Sequence, residues 1–415
     1  MGHLFLGLKS IRMKDSSAHR GILFQNYIDT SLLYKIILKN PLAKLAFYQK
    51  ILSYLFSLYS LLNTLRISFD FKDNQKFVTI YEHQNEIRCI KARLSSDQLA
   101  LSGFITFPKK INWWVFKQFI CHLRLSFKMF KVTAGLIQKN GVLIGTRQGQ
   151  FLFIYSLTHN LKTLTSTSFI ISTESNPNVI GIALAAQKKG HRIIYINHGF
   201  LDSDLGLFFH DQIVAQGEAL IERIKPFLSS SPMISNVGAY YPVLELKIPV
   251  QKIKVVGIVL SLNPIEAEIL NLIDLIGKVH PEVRIEIRPH PNLIFSSELT
   301  HNLKNNSKVS VLNPVDWLNF HTEWDLAIAG NTSAHIDLIA KGIPCIGMEL
   351  DQNPEDMYGL YRDSFILRCN YHNNILIELN NFYDSERWQL KKLAYLPDLA
   401  PRIQIDTRVL EGKDL

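Results

Sequence analysis

The sequence predicts an α/β protein built on two Rossmann-like domains, and three observations carry that prediction. From about residue 140 onward, short apolar runs suited to buried parallel strands alternate with helical stretches. The alternation occurs on both sides of a segment rich in Ser, Pro and Tyr between Pro226 and Pro249, which reads as a linker. In the second half two strand-like runs end in polar turns, Arg288-Pro289-His290-Pro291 and Gly330-Asn331-Thr332-Ser333. Turns of that kind belong at the carboxyl ends of a parallel sheet, where ligands bind.

Taken in order, residues 1 to about 70 read as helical. Lys76 to Tyr81 and Glu86 to Lys91 have the alternation of two short strands around the polar turn His83-Gln84-Asn85. A helix is expected from Asn112 to Lys131, with Lys117, Arg124, Lys128 and Lys131 in one sector and aromatic and aliphatic residues over most of the rest. It fits either a packed helix with a solvated basic edge or a helix lying at an anionic membrane surface. Val142 to Gly145 and Phe151 to Tyr155 read as strands, as does Phe169 to Ser172. Asn176-Pro177 opens a helix that runs to Lys189, and Gly190 closes it. Arg192 to Asn197 is the next strand, ending at His198-Gly199, and Gln212 to Ala215 another, with Gly217 and a helix from Glu218 after it.

The second alternation starts near Lys252 with a strand from Ile253 to Leu260 and a helix from Pro264 to Val279. Strands follow at Arg284 to Arg288, Val309 to Leu312, Leu326 to Ala329 and Cys345 to Met348. The predicted organisation is a basic α+β extension over residues 1–139 and Rossmann-like domains over 140–230 and 250–390, with a tail over 391–415. At 415 residues the chain is too long for one ordinary domain.

Charge is divided unevenly along the chain. Residues 1–150 hold 22 Lys and Arg against 7 Asp and Glu, a balance of +15, so the remaining 23 against 29 leave −6 for the rest. Such asymmetry points to an anionic partner for the first third, either lipid head groups or a polyanionic glycan. No nucleic-acid-binding module accompanies the charge, so nucleic acid is not expected. Four separated cysteines, Cys89, Cys121, Cys345 and Cys369, form no CxxC pair, which argues against a disulfide framework or a zinc site and fits a reducing compartment. Met1 to Leu8 is too briefly apolar for a signal peptide, and Leu45 to Leu65 is too interrupted by polar residues for a membrane span. A cytoplasmic protein, peripheral at the inner face of the membrane, is the expected location.

The chemistry concentrates at strand ends. Thr332 and Ser333 offer hydroxyls and backbone N–H groups where a helix starts, an arrangement that suits an anion and also caps the helix. Arg288 and His290 at another strand end supply groups that stabilise charge developing on a leaving phosphate. His198 closes a strand of the first alternation, where a neutral imidazole can take a proton from a hydroxyl. Asp202 and Asp204, just beyond, are rival bases or a rival nucleophile, and Glu174 is a further carboxylate at a strand end. No histidine cluster has metal-ligand spacing and no DxD pair ends a strand of the second domain, so a metal-independent enzyme without a cofactor is expected.

Over roughly residues 165–360 these pieces resemble a family. Asn197-His198-Gly199, Arg288-Pro289-His290-Pro291, Asn331-Thr332-Ser333 with Asp337, and Gly342-Ile343-Pro344-Cys345-Ile346 look like the two-Rossmann "GT-B" glycosyltransferases. The pattern is most similar to the capsule Kdo and sialic-acid transferases and the CDP-glycerol glycerophosphotransferases of bacterial surface polymers. The resemblance implies two domains facing a central crevice, the first binding the acceptor and the second a nucleotide-activated sugar. It implies that Arg288, His290 and Pro291 meet the phosphate of a cytidine nucleotide together with Asn331, Thr332 and Ser333. It further implies that Asp337 lies near the ribose and that His198 is the base acting on an acceptor hydroxyl of a glycan or glycolipid. Phe200 departs from the pattern, which has a small hydroxyl residue there. The expected reaction is transfer of Kdo or a nonulosonic acid from a CMP donor. Transfer of an alditol phosphate from a CDP donor, or a non-catalytic assembly role, are the alternatives.

Overall fold

A computed structural model describes residues 53–58, 66–70, 75–82, 84–107, 113, 116–117, 120, 123–140, 142–160, 168–173, 176–197, 209–228, 231–238, 243–290, 293–313, 323–352, 356 and 358–397. Two sheets organise it, one of seven strands and one of six. The two Rossmann-like sheets expected from the sequence are therefore present.

The first sheet contains β1 (Ser68–Asp70), β2 (Phe77–Ile80), β3 (Ser102–Thr106), β4 (Ser168–Ile171), β5 (Arg192–Ile196), β6 (Gln212–Ala215) and β7 (Met233–Asn236), in the order β1-β3-β2-β4-β5-β6-β7. Every pairing is parallel except that of β1 with β3. Strands β2, β4 and β6 are buried at every position, so the alternation read in Lys76 to Tyr81 does not mark an exposed face of β2. The sheet begins at Ser68, so the N-terminal extension supplies three of its strands. Strand β7 lies within the stretch read as a linker.

Three segments read as strands are helical. Glu86 to Lys91 belongs to α1 (Gln84–Arg93), where Ile87 and Ile90, with Leu94 just past its end, recur at helical spacing and are buried. The helix is fixed at its end by Arg93, a fully buried side chain that donates to the carbonyls of Val237 and Gly238. After the short α2 (Ser96–Ala100), closed at its start by a Ser95 and Gln98 capping box, come α3 (Leu123–Asn140) and α4 (Val142–Asn160). Val142 to Gly145 and Phe151 to Tyr155 both fall in α4. This helix packs against α3 and against α5 (Pro177–Gln187) and buries polar residues such as Thr146, Gln148 and Ser156 as well as apolar ones, so it shows no helical period. The helix expected from Asn112 to Lys131 is continuous from Leu123 and runs on to Asn140; residues 113, 116–117 and 120 are also helical. Helix α5 starts as expected, with the Asn176 side chain accepting from Asn178 and Val179 N–H, and Gly190 turns the chain at φ +86°.

The second sheet contains β8 (Val255–Val259), β9 (Arg284–Arg288), β10 (Val309–Val311), β11 (Leu326–Ala329), β12 (Cys345–Gly347) and β13 (Leu367–Arg368), all parallel, in the order β10-β9-β8-β11-β12-β13. Helices α6 (Glu218–Ile224), α7 (Glu266–Val279), α8 (Ser297–Asn305), α9 (Ala334–Ala340), α10 (Ile375–Tyr383) and α11 (Glu386–Tyr395) follow, with a 3₁₀ turn at Lys225–Phe227, and residues 53–58 are also helical. Trp324, fully buried, covers the sheet at Gly257, where a Cβ would overlap its ring.

The linker joins the second unit early, through Leu244 N–H to Ala340 O (2.7 Å), Lys247 N–H to Gly342 O (2.9 Å) and a two-way bond between Val250 and Asn380. Helix α11 returns to the first unit and packs on α6. Gly217 approaches the Ala394 carbonyl so closely that a Cβ would lie 2.7 Å from it, and Arg223 donates to the Tyr358 carbonyl. Residues 391–395, expected in a tail, thus belong to the last described helix.

Candidate active site

Strand order locates the site. In the second sheet the chain builds outward from β8 to β9 and β10, then returns to the other side of β8 as β11. The carboxyl ends of β8 and β11 are therefore a topological switch point, where an open parallel sheet leaves a crevice. Ser261 and Asn263 follow β8, and Gly330, Asn331, Thr332 and Ser333 follow β11.

The turn after β11 is held from three directions. The Gly330 carbonyl accepts from the Tyr361 hydroxyl (2.9 Å) and lies 2.9 Å from His335 Nε2. A carbonyl only accepts, so the imidazole proton sits on Nε2. His335 is fully buried, and burial pushes its pKa down to about 4, which keeps it neutral. The Asn331 N–H donates to Asp351, whose carboxylate also accepts from Ser261. Thr332 Oγ1 accepts from Ala334 N–H at 3.2 Å, so Thr332 supplies the capping expected of this turn. Ser333 occupies the cap position without using its hydroxyl there.

Asp351 was not legible in the sequence. It is buried, lies against Gly330 so closely that a Cβ there would be 2.0 Å from its carboxylate, and has its pKa raised by burial against the pull of the Ser261 and Asn331 bonds. Asn331, which the resemblance puts at the phosphate, thus already gives its N–H to a carboxylate.

Arg288 is the last residue of β9, next to β8 on the side away from β11. Only 9% exposed, its guanidinium has a pKa lowered to about 10 by burial, with the charge of Asp337 acting the other way. His290 is half-buried, and its pKa is lowered by burial and then by Arg288. Lys341, just past α9, is lowered by burial, raised by Asp337 and lowered by Arg288. Arg288, Asp337 and Lys341 therefore form one electrostatic group with a surplus positive charge, and His290 borders it. Asp337, expected near a ribose, faces these cations. Strands β9 and β11 flank β8, so their ends stand two strand spacings apart, roughly 10 Å.

His198, Asp202, Asp204, Glu174 and Pro291 lie outside the described residues. The strand that leads to His198 is well anchored: the Asn197 carbonyl accepts from Gln216 Nε2 (3.3 Å) and Cys89 Sγ (3.1 Å), and Ser172 Oγ donates to the Ile196 carbonyl (2.6 Å). The first sheet has its own switch point between β2 and β4. Glu82 stands there, with Oε2 accepting from Asn176 Nδ2 (2.8 Å) and Asn178 Nδ2 (3.1 Å). Sequence reading passed over Glu82; its signal was a carboxylate two residues past a buried strand. Among the described residues no group of three His, Cys, Asp or Glu is placed to hold a metal ion, and no helix is long and apolar enough to cross a membrane.

No family model matches the chain, and no curated protein matches it significantly in sequence. Solved structures similar to it include a putative UDP-N-acetylglucosamine 2-epimerase from Listeria monocytogenes, at 10% identity and a TM-score of 0.48, covering 82% of this chain and 95% of that one. The UDP-GlcNAc 2-epimerase from Neisseria meningitidis, solved with UDP-GlcNAc, matches at 14% identity and 0.46, covering 81% and 99%. The calicheamicin glycosyltransferase CalG4 matches at 8% identity and 0.44, covering 81% and 97%. At these identities and scores the likeness decides neither activity nor substrate.

Proposed function

We propose that the chain is a glycosyltransferase that moves a sugar, Kdo or another nonulosonic acid, from a CMP-activated donor to a hydroxyl of a bacterial surface polysaccharide or glycolipid. The observation that carries the reading is Arg288: a guanidinium buried at a strand end beside the switch point, with burial only partly offset by Asp337. An anionic phosphate arriving there adds a second negative charge to the one that Asp337 supplies, and favours the charged guanidinium further. His290 donates one ring N–H to the same phosphate, and the Ser333 hydroxyl, free of capping duty, donates from the β11 side. As the bond from the anomeric carbon to the phosphate oxygen lengthens, negative charge gathers on the nucleotide, and these donors stabilise it. On the acceptor side His198 takes the hydroxyl proton, with Asp202, Asp204 and Glu174 as the carboxylates that rival it.

Calorimetric titration with CMP, CDP, UDP and GDP, followed by turnover with CMP-sugar and CDP-alditol donors, tests this reading. Cytidine nucleotides are expected to bind best and a CMP-sugar to be turned over. Turnover of a CDP-alditol alone replaces the sugar by an alditol phosphate, and binding of no nucleotide overturns the assignment.

A further inference from the structure

We propose that the face formed by helical residues 53–58 and α3 docks on an anionic lipid surface. The argument starts from a reversed polarity. Ser53 and Ser57, one helical turn apart, are fully buried: Ser57 Oγ donates to the Phe130 carbonyl (2.8 Å), and Gln138 Nε2 donates to Ser53 Oγ (3.1 Å). Tyr54, Leu55 and Leu58 point the other way and are exposed, Leu55 by 57%. A helix on a water-facing surface buries its apolar side and exposes its polar side. Here the polar side is turned inward and the apolar side outward.

Helix α3 extends the same face. Tyr54 stacks on Phe130 (5.5 Å), Phe130 lies 6.4 Å from Phe127, and Phe127 is 58% exposed with the Lys131 ammonium 4.9 Å above its ring. Lys128, Lys131 and Val132 are exposed beside it, whereas Met129 is buried. In the helical residues that lead into α3, Trp113 is 75% exposed, and Lys117 and Ile120 are exposed at helical spacing from it.

Charge identifies the occupant. Residues 98–173 contain nine Lys and Arg and no Asp or Glu. Exposed apolar residues interleaved with charge of one sign match an interface of acyl chains beneath anionic head groups. A second copy of the chain would bring lysine against lysine on this face. Single-stranded nucleic acid would stack on aromatic rings, but it gains nothing from Leu55, Leu58, Ile120 and Val132.

The test is flotation of the full chain with vesicles of phosphatidylcholine, with and without phosphatidylglycerol, at low and high salt. Two variants accompany it, Lys117→Glu/Lys128→Glu/Lys131→Glu and Leu55→Ser/Phe127→Ser, with far-UV circular dichroism and thermal unfolding to confirm that both fold. The wild type is expected to float with anionic vesicles and to lose binding in high salt. The charge variant should partition about a hundredfold more weakly, and the apolar variant should lose the binding that survives salt. Absence of flotation by the wild type overturns the proposal and means that the face is covered by the chain itself, by a second copy or by another partner. Flotation of the charge variant equal to that of the wild type overturns it too. So does single-stranded nucleic acid binding in place of vesicle binding.

Discussion

Replacing Arg288 by methionine keeps much of the side-chain volume and removes the charge, so it separates the function of this residue from its packing. Its pKa of about 10, down from 12.5, means that burial disfavours the charged form by about 3 kcal/mol even with Asp337 nearby. That figure sets the scale of what an incoming phosphate recovers. Arg288→Met is therefore expected to weaken nucleotide binding by up to about 3 kcal/mol, on the order of 10²-fold. Stability should move differently, because the variant removes a charge that burial disfavours, and the cost of parting it from Asp337 is limited by a second cation. Lys341 remains beside Asp337 and keeps that carboxylate from being stranded. Arg288→Lys, which retains charge but loses the planar fork, should fall between the two. Calorimetric titration and thermal unfolding of the three proteins measure both quantities. A methionine variant that binds nucleotide as well as the wild type refutes the reasoning, and so does one whose lost binding is matched by lost fold.

Three further outcomes follow from the same structure. His290 has a lowered pKa when free, and a bound phosphate raises it, so binding takes up a proton. Nucleotide affinity should therefore strengthen as pH falls toward 5, and His290→Ala should flatten that dependence in a pH series of titrations. Glu82→Gln should leave nucleotide affinity unchanged while lowering turnover, because Glu82 stands at the switch point of the other sheet; equal turnover would remove it from the acceptor side. His335, neutral in the fold with a pKa of about 4, contributes stability that is fully present above pH 6.5 and is lost as pH falls through 4. The loss is about 3 kcal/mol over that window, and urea unfolding of His335→Gln should show a shallower acid slope than the wild type.

How much of this was legible in the sequence depended on where the constraint lay. Strands β4, β6 and β11 announced themselves because burial on both faces forces largely apolar runs between turn residues, and β9 did so by its alternation. Asn176, Pro177 and Gly190 marked α5 because capping chemistry is local. Helix α4 was misread for the opposite reason: neighbours on two sides remove its polar stripe, and short apolar runs then look like strands. In α1 the spacing of Ile87, Ile90 and Leu94 was available, but the alternation of Glu86 to Lys91 masked it. Arg288, His290 and Ser333 were legible as candidates because each stands where a recognisable element ends or begins. Asp351 and Glu82 were not, since their partners lie 20 and 94 residues away in the chain and only the folded sheets bring them together.

Asp351 also decides how a donor must lie. A phosphate seated on the Asn331 N–H would meet the Asp351 carboxylate, which already holds that donor together with the Ser261 hydroxyl. Two anions at contact distance in a partly buried site repel by several kcal/mol. The phosphate is therefore directed to the β9 side, toward Arg288, and the region between β8 and β12 is left for neutral, hydroxyl-bearing parts of the donor, which a carboxylate binds as an acceptor. Asp351→Asn should then spare CMP itself, with affinity within about threefold, while weakening a CMP-sugar by roughly tenfold or more, the cost of one charge-assisted hydrogen bond. The variant should also unfold at a lower temperature, since the bond with Ser261 must reverse its direction and the Asn331 N–H loses a charged acceptor. Titration of both ligands against the variant decides the point: equal losses for CMP and the CMP-sugar would show that Asp351 acts only by holding the turn, and unchanged affinity for both would place the sugar elsewhere.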